Sequence, residues 1–333
     1  MSSSDSAVPQ AGIYLAHKRR GETSFSLVHE LMEAVRLAGI RKLPVCHGGA
    51  LDPFAEGLLL LLAGPATRLM EFLHPVPKAY LAQIEWGTET DNGDLLGRVI
   101  ASGDCSALTP ALLDAALVPL LGWTGQVPPA FSNKRVDGER AYLKAHRGEE
   151  VLVPPSRVYL HEARFVSHEL PLRSSLSLTC RGGYYVRSLA RDLGRALGCR
   201  AHLSALRRTA IGPWLDPGDS KPPGIESRAP DSGLASAQDV SLASAPDGRI
   251  AARISIHLSG EALLPWLPSR LLTDREEKLV AMEKPIGKGE LRPPSWPLPE
   301  GFPGEPQVRA LHRSKLVGIL GLDGATLLRL RPV

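Results

Sequence analysis

The chain is poor in aromatic residues and has no long apolar run. Phe, Trp and Tyr make up 5% of its 333 residues, so a core must be built mainly from aliphatic side chains. The longest apolar run, Leu58–Ala63, is far shorter than the roughly 20 residues that cross a bilayer. This run predicts a buried strand or a buried helix, and we expect no membrane partner. Residues 1–10 are charged only at Asp5, which is not the pattern of a signal peptide.

The four cysteines, Cys46, Cys105, Cys180 and Cys199, form no C-x-x-C pair. Their spacing matches no zinc pattern, so the sequence predicts no metal site. Unpaired thiols without a signal peptide indicate a reduced, cytoplasmic setting, with the cysteines as buried structural residues.

Three motifs of common enzyme classes are missing. The chain has no GxxxxGK[ST], no GxSxG and no HExxH, which argues against nucleotide hydrolases, serine hydrolases and zinc proteases. The net charge is +4 and the pI is near 8.9. Such a mild excess of basic residues permits a polyanionic partner without requiring one, because local clustering of charge decides binding.

The composition divides the chain into four parts. Residues 1–11 are expected to form a disordered tail, and residues 12–214 to form the main domain. Residues 215–247 are rich in Pro, Ser, Ala, Gly and Asp, which is typical of a linker or surface insertion. Residues 248–333 regain an apolar pattern with several short strands, so we expect a small, mainly β domain there.

The main domain mixes strands and helices. A strand is expected at GIYLAHK, followed by a helix that Thr23 or Ser24 caps and that ends at Gly39. Apolar residues at helical spacing in YYVRSLARDLGRALG predict a second helix with one buried face. The members of that face are Val186, Leu189, Ala190, Leu193 and Leu197.

Asp52 lies in the glycine-rich segment GGALDPFAEGL. Asp followed by Pro is a common helix start, with Asp as the N-cap and Pro at the first helical position. A carboxylate on a loop braced by two glycines, with His47 five residues earlier, is also typical of a site that a ligand approaches closely. Both interpretations are open at this point.

Residues 181–208 carry seven arginines and one acid. Arg187, Arg191 and Arg195 are four apart and share a helix face, and Tyr184 and Tyr185 begin that helix. A solvated basic face is one interpretation. Phosphate contact is the other, because arginine binds phosphate with two parallel hydrogen bonds and neighbouring aromatic rings can stack on RNA bases.

Two further segments have a mixed, basic character. Lys78 and Tyr80 begin the expected strand KAYLAQIEWG, where the tyrosine could simply pack its ring. The segment QVPPAFSNKRVDGERAYLKAHRGEE combines Pro, Gly, Lys and Arg with few apolar residues. It predicts a long exposed arm over residues 126–150, which could also be a loop without function.

The order of these motifs resembles that of the bacterial TruB-type tRNA pseudouridine-55 synthases over about residues 12–214. The elements that match in order are GIYLAHKRRGETS, HGGALDPFAEGLLLLLAGPATR, KAYLAQIEWGTETDNGDLLG, QVPPAFSNKRVDGERAY and GGYYVRSLARDLGRALGCRAHLSALRRTAIGPW. The resemblance implies an α+β fold: a mixed, largely antiparallel sheet with flanking helices, followed by a small PUA-like C-terminal domain. It also implies conversion of uridine to pseudouridine at position 55 in the T-loop of tRNA, without a cofactor or metal.

The resemblance assigns roles to individual residues. Asp52 matches the family's catalytic nucleophile. Tyr80 matches the aromatic residue that stacks on the flipped base. Arg187 matches the arginine that pairs with the catalytic carboxylate, and Tyr185 matches the active-site tyrosine beside it.

The remaining matches concern binding. His47 corresponds to a histidine near the bound RNA loop, Lys18 to a lysine of the first motif, and Leu206 to an apolar residue that lines the pocket. The arm at residues 126–150 resembles the mobile thumb that closes on tRNA. We therefore expect a monomer that binds the T-loop and stem of tRNA and needs no protein partner.

Three other functions fit parts of the pattern. A guide-RNA-dependent pseudouridine synthase subunit shares the Asp loop but acts with partners. A non-catalytic RNA-binding protein or tRNA chaperone could use the same cleft, although it would not need the carboxylate. A metabolic enzyme with a small phosphorylated substrate could use the arginines, but its binding would depend little on salt.

Overall fold

The computed structural model describes residues 8–218, 237–239 and 254–330. These residues form two compact units. The first unit holds the described residues up to Val76 and those from Ala210 onward, and the second holds Pro77–Thr209.

The described residues contain nineteen strands, six α-helices and three short 3-10 helices. The strands are β1 (Gly12–Lys18), β2 (Val45–His47), β3 (Glu56–Ala63), β4 (Lys78–Trp86), β5 (Thr88–Thr90), β6 (Val99–Ser102), β7 (Gly122–Gln126), β8 (Arg135–Val136), β9 (Glu139–Arg140), β10 (Ser156–Glu169), β11 (Arg173–Cys180), β12 (Ala201–Ile211), β13 (Trp214–Leu215), β14 (Ala237–Asp239), β15 (Ile254–Leu258), β16 (Ser269–Leu271), β17 (Gln307–His312), β18 (Lys315–Gly321) and β19 (Thr326–Arg329). The helices are α1 (Ser24–Leu37), α2 (Met70–Leu73), α3 (Pro110–Leu117), α4 (Ala141–His146), α5 (Val186–Ala196) and α6 (Asp274–Ala281).

The apolar run Leu58–Ala63 lies in β3, so the strand alternative is the one the structure adopts. Alternate side chains of β3 enter two different cores of the first unit. Leu58, Leu60 and Leu62 join one core, while Leu59 and Leu61 join the core that α1 covers. A strand buried on both faces needs apolar residues at every position, which explains why this run does not alternate.

Helix α1 begins where the sequence predicts. The Thr23 side chain accepts a hydrogen bond from the backbone N–H of Ser26, 3.2 Å away. Leu27 and Leu31 are fully buried in the core beneath the helix. The expected strand GIYLAHK is also confirmed, as β1, which pairs antiparallel with β3.

The C-terminal region is mainly β, as expected. Strands β16, β17, β18 and β19 form one sheet in that order, and Thr273 and Glu276 form a reciprocal capping box at the start of α6. Strand β15 does not join this sheet but pairs antiparallel with β1. Leu263, Trp266 and Ile319 share a core with the N-terminal β1 and β3. The proposed domain boundary at residue 248 therefore remains a prediction.

Parts of the predicted tail and linker lie outside the described residues. Of the tail, 1–11, residues 1–7 fall there. Of the linker, 215–247, residues 219–236 and 240–247 fall there. Strand β14 lies within the predicted linker and pairs with β15.

The second unit is built on five paired strands, and β5–β6 and β8–β9 form two small sheets of their own. Its strand order is β12, β4, β11, β10 and β7. The side chains of β4 alternate between buried and half-buried positions, and α5 contacts β4. Val186, Leu189, Ala190 and Leu193 on α5 are buried as predicted, and Leu197 is half-buried at its C-cap. The predicted helix and its apolar face are confirmed.

The strand pairings are mostly antiparallel and the helices are few, so the predicted α+β class is confirmed. Within the described part of the chain, no helix has the length and apolar character needed to cross a membrane.

The double burial of β3 predicts a steep cost of truncation. Leu60→Ala should lower the free energy of unfolding by about 2–5 kcal/mol, because the lost methyl groups leave a cavity between packed neighbours. Leu327→Ala, on the 54% exposed Leu327 of β19, is the matched control and should change stability by less than about 1 kcal/mol. Equal effects in chemical denaturation would contradict the packing described for β3.

Candidate active site

Asp52 lies on the loop between β2 and β3 and does not begin a helix. The backbone N–H of Ala55 donates to the carbonyl of Asp52 over 3.0 Å, which closes a turn, and β3 starts at Glu56. The helix-cap interpretation is therefore wrong. Pro53 serves a turn instead, because the apolar residues that follow are needed in a strand buried on both faces.

The two glycines of this loop are needed for different reasons. A Cβ atom on Gly48 would lie 3.0 Å from Leu62 Cδ1, so the backbone approaches the core too closely for a side chain. Gly49 has φ +124°, a conformation that L-residues rarely adopt. The unusual backbone geometry expected here is therefore found at Gly49, while Gly48 allows close packing against the core.

A buried lysine fixes the segment that follows Asp52. The side chain of Lys18 is fully buried. Its Nζ donates to the carbonyl oxygens of Ala55 at 2.5 Å and Arg19 at 3.1 Å, with that of Pro53 at 3.5 Å. Hydrogen bonds to several carbonyls are what a buried ammonium group requires.

Two further contacts anchor the same loop. The backbone N–H of Leu51 donates to Ser24 Oγ at 2.8 Å, and Ser24 Oγ donates to the carbonyl of Leu51 at 3.1 Å. The N–H of Gly21 donates to the carbonyl of Pro53 at 2.7 Å. The residues on both sides of Asp52 are therefore held by β1, by the turn after it and by the first residue of α1.

The Asp52 side chain is half-buried. His47 lies on β2 and pairs in register with Leu61 of β3, and its side chain is also half-buried. The structure therefore places His47 directly before the glycine pair, on the strand that leads into the Asp52 loop.

Four other predicted site residues lie in the second unit. Tyr80 is on β4 and is 8% exposed. It shares a strand face with Lys78, which is also buried. Burial, together with the charges of Arg208 and Arg181, lowers the pKa of Lys78 to about 7. Leu206 lies on the neighbouring strand β12 and is buried too.

Arg187 is buried in the first turn of α5 rather than solvated. Its Nη1 donates to the carbonyl of Asn92 at 2.7 Å, and its Nη2 donates to that of Phe131 at 2.9 Å. One guanidinium group therefore contacts both the loop after β5 and the arm. A solvated-face interpretation is wrong for this residue, because it is only 4% exposed.

The other two arginines of the α5 stripe also contact protein acceptors. Arg191 donates to the Asp192 carboxylate at 2.8 Å and to the carbonyl of Val127 at 2.9 Å. Arg195 donates to the buried carboxylate of Glu89 at 2.5 and 3.0 Å. These contacts leave the phosphate role of the stripe a prediction.

Gln126, the first residue of the predicted arm, is a further candidate that no sequence motif indicates. Tyr185 is the residue that precedes α5, and its N–H donates to Gln126 Oε1 at 2.9 Å while its carbonyl accepts from Gln126 Nε2 at 3.0 Å. This buried amide fixes the backbone of Tyr185 at the root of the arm. No local pattern indicates the contact, since the two residues are far apart in the sequence.

No group of three or more His, Cys, Asp or Glu side chains in residues 8–218, 237–239 and 254–330 is placed to hold a metal ion.

Comparison with solved structures identifies the fold class. The chain is similar to the protein in a crystal structure of a Cbf5–Nop10–Gar1 complex, with a TM-score of 0.60 and 20% identity over 100% of this chain and 90% of that one. It is also similar to the archaeal box H/ACA sRNP Nop10–Cbf5 complex, with a TM-score of 0.53 and 18% identity over 97% of this chain and 85% of that one. At such identities the likeness establishes the pseudouridine synthase fold alone.

Two family models match this chain in sequence and indicate one family of pseudouridine synthases. The model described as TruB family pseudouridylate synthase (N terminal domain) matches residues 36–186, and that of the tRNA pseudouridylate synthase B C-terminal domain matches residues 187–221. The tRNA pseudouridine synthase B of Arthrobacter sp. (strain FB24) is 40% identical over 61% of this chain and 67% of its own length. The tRNA pseudouridine synthase B of Bordetella avium (strain 197N) is 38% identical over 62% of this chain and 83% of its own length.

The chain belongs to the TruB family of pseudouridylate synthases. It is an isomerase of the tRNA pseudouridine synthase class. The alignments with three of the curated relatives each span about two thirds of the length of the relative.

The Lys18 contacts predict that this residue positions the Asp52 loop. Lys18→Met keeps the length of the side chain but removes the hydrogen bonds to Ala55 and Arg19. Hydrogen exchange at the backbone N–H of Ala55 should accelerate at least about tenfold, because the turn opens more easily. Exchange in β17, in another part of the unit, should not change. Unaltered exchange at Ala55 would mean that Lys18 does not hold the loop.

The lowered pKa of Lys78 predicts a specific dependence of stability on pH. Between about pH 7 and 10.5 the unfolded chain binds the Lys78 proton that the folded chain has released. The free energy of unfolding should therefore rise with pH in this window, relative to Lys78→Met. Chemical denaturation at several pH values measures the free energy of unfolding of the wild type and of Lys78→Met. Lys315→Met, at an exposed lysine, is the control, and a curve for Lys78→Met parallel to that of the wild type would contradict the shift.

Proposed function

We propose that this chain isomerises uridine 55 in the T-loop of tRNA to pseudouridine, with Asp52 as the catalytic nucleophile. The reaction breaks the bond between N1 of uracil and C1′ of the sugar and forms a bond from C5 to C1′. The hydrogen on C5 leaves to solvent and N1 gains one, so there is neither net oxidation nor hydrolysis. Such an isomerisation needs no redox cofactor, and we propose that none is used.

The observation that carries the assignment is the way the Asp52 loop is built. Asp52 is not used as a helix cap, and the residues on both sides of it are fixed by Ser24 and Lys18. A nucleophile must be held in a reactive geometry, and a half-buried carboxylate on an anchored loop meets that need. Attack on the uracil ring and attack on the sugar carbon would both use an oxygen of this carboxyl group as the nucleophile.

The target base must leave its stack before it can react, at a cost of a few kcal/mol. We propose that Tyr80 stacks on the flipped base, which contributes about 1–3 kcal/mol, and that Leu206 lines the same pocket. Tyr80 and Leu206 lie on neighbouring strands of one sheet, which supports a shared pocket. We further propose that Arg187 and Tyr185 contribute to the active site, as the family resemblance implies, and that His47 serves the bound RNA loop. Lys18 is fully buried, so we propose that it acts by holding the Asp52 loop and does not contact the RNA.

The arm at residues 126–150 supports a free-standing enzyme. The strands β8 and β9 form a hairpin in it, and Arg147 binds the carboxylate of Glu139 through two hydrogen bonds of 2.7 and 2.8 Å. The ring of Phe131 meets that of His146 edge-on, with centroids 5.3 Å apart. Such a folded, largely exposed arm can close on tRNA without a partner protein, and we propose a cytoplasmic monomer.

The main alternative is a guide-dependent subunit, since the solved structures reported above are complexes with other proteins. Such a subunit would not act on bare tRNA. A non-catalytic RNA-binding protein is the second alternative, and it would bind tRNA equally well with or without the Asp52 carboxylate while forming no product.

The first test is tritium release from transcribed tRNA labelled with 5-tritiated uridine. The purified wild-type protein should release tritium without any partner protein or guide RNA, because the C5 hydrogen is lost when the bond from C5 to C1′ forms. Asp52→Asn keeps the size of the side chain but removes the nucleophile. It should lower release at least about 1000-fold, while its Kd for tRNA, measured by filter binding, stays within about threefold.

A transcript with cytidine in place of uridine 55 is the matched control for the position. It should release no tritium above background. Release from that transcript would contradict the assignment to position 55. Binding without release by the wild type would favour the guide-dependent or non-catalytic alternatives.

A further inference from the structure

A cluster of aromatic and basic side chains lies on the second unit, outside the residues assigned to the target uridine. We name it the Trp123 surface. Its members lie on β7, on β10 and directly after β11. They are Trp123, Arg157, Tyr159, His161 and Arg181.

The rings and guanidinium groups of this surface are in contact. Cζ of Arg157 lies 4.4 Å from the ring centroid of Trp123, and Cζ of Arg181 lies 5.6 Å from it. The ring centroids of Trp123 and Tyr159 are 5.2 Å apart, and those of Tyr159 and His161 are 6.2 Å apart. Two cations and three rings thus form one continuous patch.

The patch lies on the open face of the sheet. In β10, Val158 and Leu160 point to the buried face, and Tyr159 between them points away from it. Trp123 pairs in register with Tyr159 and is 40% exposed. An exposed tryptophan on a terminal strand of a sheet is typical of an interaction site.

There is room beside the tryptophan for a flat ligand. Gly125 lies two residues along β7, on the same face, and is paired in register with Arg157. A Cβ atom on Gly125 would meet nothing within 4 Å. The surface therefore has an open shelf next to Trp123, bordered by the exposed Arg157.

We propose that the Trp123 surface binds a second segment of the RNA substrate, by base stacking and phosphate contact. RNA is the favoured occupant because its unpaired bases stack on aromatic rings and on guanidinium planes, while its phosphates bind arginine. The two arginines complement that charge. The carboxylate that follows His161 on β10, that of Glu162, accepts a hydrogen bond from the hydroxyl group of Thr179 at 2.8 Å and not from either of these arginines. This inference rests on the proposed function for the identity of the RNA as tRNA.

Two pairs of variants test the charge of this surface. Gly125→Glu puts a carboxylate into the open shelf, and Gly125→Gln puts a neutral side chain of the same shape there. Arg157→Gln removes a proposed phosphate contact. Arg173→Gln is the control for Arg157→Gln. Arg173 lies at the opposite end of β11 from Arg181 and pairs with Glu169.

The measurement is the Kd for unmodified tRNA transcript over a series of salt concentrations. Gly125→Glu should weaken binding at least about fivefold more than Gly125→Gln at low salt, and the difference should shrink as salt screens it. Arg157→Gln should weaken binding several-fold and reduce the magnitude of the slope of log K against log salt by about 1. Arg173→Gln should change neither the affinity nor the slope.

The stacking part is tested by fluorescence. Quenching of tryptophan emission by tRNA should be smaller in Trp123→Phe than in the wild type, because a stacked base quenches the indole. The proposal would be overturned if the wild type, Gly125→Glu and Arg157→Gln had equal Kd values and equal salt slopes. The Trp123 surface would then either cover the edge of the sheet or bind a protein.

The outcomes separate this surface from the proposed function. If the wild type releases tritium but the variants bind tRNA like the wild type, the isomerase assignment stands and the surface proposal fails. If the wild type releases no tritium but Gly125→Glu and Arg157→Gln weaken RNA binding, the surface proposal stands and the isomerase assignment fails.

Discussion

The hydrogen bonds from the buried Lys18 ammonium to the backbone around Ala55 are the constraint on which the Asp52 loop depends. A charged group without water is stable only when its donors are satisfied, so the carbonyl of Ala55 is drawn to a fixed place at the end of β1. Ser24 fixes Leu51 on the other side of Asp52. The loop is short, and anchoring both of its ends restricts the conformations open to the carboxylate between them.

The same anchoring explains the sequence around it. Lys18 ends β1, and Ser24 is the first residue of α1, so both anchors lie on regular elements rather than on loops. Strand β3 begins directly after the loop and is buried on both faces. A carboxylate supported by packed strands and a helix is held more firmly than one on a free loop. The hydrophobic core and the proposed chemistry therefore depend on the same few residues.

Much of the fold could be predicted from local patterns. The 3.6-residue spacing of Val186, Leu189 and Leu193 was sufficient to predict α5, and the pair Thr23 and Ser24 was sufficient to predict the start of α1 to within one residue. The role of the Asp-Pro pair at Asp52 could not be decided locally, because the pair suits a helix start and a turn equally well. The turn is chosen by the strand that follows, whose two buried faces are a property of the tertiary structure.

The candidate site residues could be proposed mainly from the order of motifs, and their contacts could not be predicted. The resemblance singled out Tyr185 and Arg187, but Gln126 and the carbonyls of Asn92 and Phe131 that hold them come from distant segments. Backbone carbonyls carry no signature in the sequence. The pairing of these acceptors with their donors exists only once the sheet and the arm have folded.

The arginines show why a count of basic residues is a poor guide to RNA binding. The stripe Arg187, Arg191 and Arg195 has the spacing of a phosphate-binding face, yet each guanidinium group already donates to a protein acceptor. An arginine with strong internal acceptors must break those bonds to bind phosphate, and breaking them costs part of what the phosphate contact contributes. Arg157 is different, since it is exposed and lies over an exposed indole ring. Arg157, which lies outside the run of arginines in residues 181–208, is therefore the arginine best placed for the proposed RNA contact.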